Sequence, residues 1–138
     1  MACKINFGVQ LNSLSFCGPD NIAGLSKSNV KMASSSTGTI FTSIEMDKFS
    51  TDIFGCYDEI FIANTKIGIQ SLDLETSKLI PVYSLNKKTR EELSCSCYNP
   101  ISENMITAVW CPDTRVTRLS KIDTRSPQGS HDLITVSS

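Results

Sequence analysis

The chain has 138 residues, 40% hydrophobic and 20% charged, which is the usage of an ordinary globular domain and excludes a disordered chain. Thirteen Lys and Arg stand against fourteen Asp and Glu, a formal charge of -1, so no global field is present to drive nonspecific nucleic-acid binding. The length suits a single domain over residues 1–138.

Met1 to Gln10 carries one Lys and no apolar run of the length a secretory signal needs, and no segment approaches the about 20 apolar residues that cross a bilayer. No Asn-x-Ser/Thr acceptor occurs, since Asn99 is followed by Pro100 and no other Asn has Ser or Thr two places on. An intracellular protein, cytoplasmic or nuclear and without a membrane partner, is expected. In that reducing setting the six cysteines read as thiols, most of them buried beside apolar neighbours, as in Phe16-Cys17, Cys56-Tyr57, Cys97-Tyr98 and Trp110-Cys111.

Short runs rich in β-formers predict strands over Val9–Phe16, Thr39–Ile44, Glu59–Ala63, Leu79–Leu85, Met105–Trp110 and Asp132–Val136. Between them lie turn signals at Gly18-Pro19-Asp20-Asn21, Ser34 to Gly38, Asn99-Pro100, Cys111-Pro112-Asp113 and Ser126 to Gly129. No window sustains a helical apolar stripe, and Lys87 to Leu93 reads as a charged loop with one helical turn.

Three landmarks repeat. Aromatic residues precede a turn at Phe16, Tyr57 and Tyr98, spaced 41 and 41 apart, and apolar runs end at Ala23, Ala63 and Ala108, spaced 40 and 45 apart. The third landmark is a strand that runs into a polar turn: Gly68 to Lys78, with counterparts at Val30 to Thr39 and Leu119 to Arg125. Ile69 to Lys78 resembles the third strand of a WD-repeat blade, with Leu72-Asp73 in place of Trp-Asp, and Ile122-Asp123 repeats the pattern. Ser34 holds the equivalent slot in the first repeat, and neither the Gly-His pair nor the dipeptide Trp of the family is present. The resemblance implies an all-β fold, a partial β-propeller of about three four-stranded antiparallel blades, with approximate repeats 10–50, 51–92 and 93–138. The alternative is a β-sandwich. Its immunoglobulin form fails because the one Trp, Trp110, lies late in the chain beside Cys111.

The chain offers little for catalysis. One histidine, His131, lies in a polar stretch, and Cys95-Ser96-Cys97 is the one close cysteine pair. Strand alternation would point both thiols one way and Ser96 the other, but a zinc site would need Cys111 and His131 from distant loops. No metal, cofactor or phosphate-binding loop is expected. Arg115, Arg118, Lys121 and Arg125 form a local basic stripe, read first as the solvated outer strand of a sheet and second as a contact for an acidic peptide or phosphate backbone.

About three repeats fall short of the roughly 4 to 8 blades of a closed ring, so other protein chains, a second copy, or a longer product are expected to complete it. The resemblance implies a non-catalytic protein-interaction scaffold in a larger complex. Its candidate contact residues are Trp110, Arg115, Arg118, Lys121 and Arg125, because aromatics and Arg dominate interface energetics. Two alternatives stand beside it: a small thiol-dependent enzyme using Cys95 or Cys97, and a nucleic-acid-contacting subunit acting through the Arg115 to Arg125 stripe.

Overall fold

The computed structural model describes residues 4–56, 59–124 and 131–137, with Cys56 and 131–137 as backbone. Twelve strands run in chain order among the described residues. β1(Ser13–Phe16), β2(Asn21–Leu25), β3(Asn29–Ser34) and β4(Ile40–Glu45) form the first sheet. β5(Ser50–Cys56), β6(Glu59–Asn64), β7(Gly68–Asp73) and β8(Lys78–Ser84) form the second. β9(Glu92–Asn99), β10(Asn104–Cys111), β11(Val116–Asp123) and β12(His131–Ser137) form the third. Each sheet keeps its strands as neighbours in chain order, and the expected all-β fold of three four-stranded sheets is present.

Local chemistry explains where the strands stop. The third strand of each sheet ends on a buried apolar residue followed by a polar one: Ala33-Ser34, Leu72-Asp73 and Ile122-Asp123. Asp73 Oδ1 accepts the backbone N–H groups of Glu75 at 3.0 Å and Thr76 at 3.4 Å, closing the turn to β8. Ser34 Oγ accepts the N–H of Thr37 at 3.4 Å and so does the same work with a hydroxyl. The apolar member fills the core while the polar member supplies acceptors that the departing backbone needs.

Contacts divide the chain into two compact units, Met1–Ile62 with Ser71–Ile80, and Ala63–Gln70 with Pro81–Ser138. In the first unit Ala23, Leu25, Val30, Met32, Ile44, Ile53, Ile60 and Ile62 belong to one buried cluster. β6 is buried at every residue after Glu59, as a continuous apolar run with both faces covered should be. Close approach of β5 to β1 requires Gly55, since a Cβ there would lie 1.9 Å from the Phe16 carbonyl oxygen. In the second unit β10 alternates strictly, burying Met105, Thr107 and Val109 while Ile106, Ala108 and Trp110 take the other face.

Two expectations need correction. Cys17 is buried, but Cys95 and Cys97 are exposed and Cys111 is intermediate, because hydrophobic neighbours in a strand sequence stand on the opposite face. The charged stretch Lys87 to Glu92 is not solvated throughout: residues 87–90 form the expected turn, yet the Glu91 side chain is only 8% exposed. Its carboxylate has a partner on β11.

Candidate interaction site

That partner is Arg118. The pairing of β10 with β11 runs without a break from Asn104↔Asp123 to Cys111↔Val116, which sets Arg118 opposite Val109 on the face of buried Ser120 and Ile122. A guanidinium on that face must bring its own hydrogen-bond partners. Arg118 Nη1 donates to Glu91 Oε1 at 2.8 Å and Nη2 donates to Tyr83 Oη at 3.0 Å. Tyr83 Oη in turn lies 3.2 Å from Ser120 Oγ, and Glu91 Oε2 accepts the backbone N–H of Asn86 at 2.8 Å.

The ionisation of both groups follows from this geometry. The hydrogen bond to Glu91 raises the Arg118 pKa further above its already high value, against the opposing effect of burial. Burial by itself would raise the Glu91 carboxyl, but the Arg118 hydrogen bond, the Asn86 N–H and the guanidinium charge together hold it below its ordinary range. Both groups stay charged at neutral pH, and the pair fixes the segment before β9 against β11.

Beside the pair opens a cavity of about 370 Å³, lined by Thr89, Glu91, Cys111, Thr114, Val116 and Arg118 among others. Cys111 Sγ lies 4.0 Å from Glu91 Oε1 and 3.9 Å from Arg118 Nη1, so its thiol faces the ion pair. Arg90 pairs with Asp113 at the rim, and exposed Arg115 holds the turn with φ 54. The cavity combines an apolar wall at Val116 with a polar floor whose charges are already matched. Such a surface suits a side chain with an apolar body and a polar tip.

Of the residues singled out from sequence, Arg118 lines this cavity, Arg115 is an exposed turn residue between the lining residues Thr114 and Val116, and Trp110 and Lys121 stand on the other face of the third sheet. Residues 118 and 121 are an odd number apart in a regular strand, so the basic residues do not form one stripe. Arg125 lies outside the described residues. Lys121 lines a separate cavity of about 280 Å³ with Cys97, Tyr98, Asn104 and Ile106. Cys95 and Cys97 share that outer face, as alternation requires, while Cys111 faces the Arg118 cavity, so the three thiols do not converge on one metal. Glu91 and Tyr83 were not legible as site residues. A lone Glu in a mixed-charge run and a Tyr near a strand end carry no local signal of a partner 27 and 35 residues away.

The sheets define an all-β protein of propeller type, and solved structures agree. The chain is similar to the computationally designed Ika4 protein, with TM-score 0.63 and 9% identity over 97% of this chain and 79% of that one. It is also similar to the Cps50 (Swd1) β-propeller domain of Myceliophteria thermophila, with TM-score 0.61 and 9% identity, covering 91% of this chain and 43% of that one. The chain thus spans less than half of that propeller domain. No family model matches the chain, and no curated protein does.

Proposed function

We propose that the chain is a non-catalytic protein-interaction scaffold of WD-repeat type, working in an intracellular complex in the cytoplasm or nucleus. The single observation that supports it is the braced cavity at the end of the third sheet, on a fold similar to a known propeller domain. Arg118 spends its charge on Glu91 and Tyr83, a positioning role that holds the cavity wall rigid. A rigid, pre-formed recess costs a partner little ordering entropy.

Recovery of the tagged chain from its source under native conditions tests this, with co-purifying chains identified and quantified. Filling the cavity with Thr114→Trp and reversing the charge of the lining residue Asp113 with Asp113→Lys should each reduce the captured partner by about tenfold or more. Recovery of the chain alone, or partner capture indifferent to both substitutions, would overturn the proposal.

A further inference from the structure

β9 carries two thiols on its exposed side. Ala108 of β10 pairs with Cys95 and Val109 with Leu93, so Ser94 is an extra residue and β9 is bulged there. Leu93 and Cys95 are two positions apart and would share a face in a regular strand. The bulge parts them, as bulges do when they re-aim a side chain. Leu93 is 3% exposed, whereas Cys95 is exposed, and alternation beyond the bulge exposes Cys97 and leaves Ser96 between them half-buried. Free cysteine is among the most buried residue types, yet here two of them form a surface dithiol.

Two residues of strand separate the Cα atoms of such a pair by about 6.6 Å. That lies near the upper limit of the span a disulfide accepts, about 4.4 to 6.8 Å, so closing an S–S bond would distort β9. A single ion between two thiolates asks less of the backbone. Metal–sulfur bonds of about 2.3 Å on opposite sides of an ion set the sulfurs about 4.6 Å apart, which the side chains reach by leaning together. Two thiolates do not fill the four positions that zinc takes, and no group of three or more His, Cys, Asp or Glu gathers among the described residues. They do complete the linear two-coordinate shell of a soft monovalent cation, and thiolate ligands select Cu(I).

The neighbourhood suits the charge of that complex. Cys97 pairs with Ile106 and Ile106 with Lys121, so the ammonium stands two strands from the thiol on the same face. Lys121 and Cys97 line one cavity of about 280 Å³, with Ile106 in its wall. Each thiol gives up its proton on binding, so Cu(I) with two thiolates carries one negative charge and two protons are released. Lys121 offsets that charge, and the cross-strand neighbours Ile106 and Ala108 bring no competing side-chain donor. We infer that Cys95 and Cys97 form a site for a single Cu(I) ion beside Lys121. The Cys111 thiol faces Arg118 on the opposite side of the sheet and takes no part. The site is separate from the Arg118 cavity, so it stands independently of the scaffold proposal.

The purified, reduced 138-residue chain is titrated with Cu(I) without oxygen, in competition with a chromophoric Cu(I) chelator. One ion per chain should bind, and the affinity should rise with pH because protons leave. X-ray absorption should count two sulfur neighbours on the metal. Cys95→Ser and Cys97→Ser should each weaken binding by about a hundredfold or more, since either leaves one thiolate where two chelate. Both alter exposed side chains, so each variant should keep the wild-type circular dichroism. Lys121→Glu should weaken binding by about threefold or more through charge alone, and Cys111→Ser should leave it unchanged. Binding indifferent to either cysteine substitution at β9 would overturn the inference, as would three sulfur neighbours or a loss of affinity in Cys111→Ser. An affinity no higher than that of the urea-unfolded chain would overturn it too, because that is adventitious capture by any two thiols. An unchanged affinity in Lys121→Glu would remove the lysine from the site.

Discussion

Glu91 shows how a single side chain escapes sequence reading. It belongs to a run whose charges nearly cancel, yet its side chain is only 8% exposed because Arg118 reaches it across 27 residues of chain. Its lowered pKa ties stability to pH. A carboxyl whose folded value lies below the unfolded one of about 4.3 stabilises the fold above that pH and loses the contribution as pH falls through the folded value. Glu91→Gln should therefore cost about 2 kcal/mol at pH 7 by urea denaturation, with the difference from wild type shrinking toward pH 3. A difference that stays constant across this range would show that the pair's charge is not what stabilises the segment. Thr107 makes the opposite case. It is wholly buried and its hydroxyl finds no hydrogen-bond partner among the described residues. Thr107→Val should raise the urea midpoint by an amount equivalent to about 1 kcal/mol with an unchanged slope, because the methyl removes an uncompensated polar group.

At the scale of the strand, alternation decides function. β10 and β11 each divide their residues between two surfaces, so Arg118 joins the cavity while Trp110 and Lys121, close in sequence, serve the other face. Alternation also accounts for the exposed thiols, since Ser96 and not its flanking cysteines shares a face with Thr107. β1 carries the most informative pattern, with serine hydroxyls capping the amides of a neighbouring strand. Ser15→Ala should destabilise the first sheet by about 1 kcal/mol, and amide exchange should quicken at Gly55, whose N–H loses its acceptor. Unchanged exchange at Gly55 would show that the hydroxyl does not hold β5. Of the predicted run Val9–Phe16 only Ser13–Phe16 forms a strand. Period-two alternation marks two faces without saying which one meets water.

For the whole molecule, the count of sheets matters more than any residue. The described residues form three four-stranded sheets, and the chain covers 43% of the propeller domain it is similar to. The partner capture proposed above tests assembly at this scale through the cavity beside Arg118.

The amino-acid sequence by itself determined the strand-length apolar runs, the turns between them, and the buried-apolar and polar pairs that end each third strand. These are local effects: side-chain alternation, backbone preferences of Gly, Pro, Asn and Asp, and short-range acceptors act within a few residues. Only the tertiary structure decided that Glu91 and Tyr83 hold Arg118, that Cys95 and Cys97 face outward, and that Leu14 and Phe16 stand uncovered. Those outcomes depend on the register between strands and on which face of a sheet is covered, and register couples residues tens of positions apart that no local pattern links.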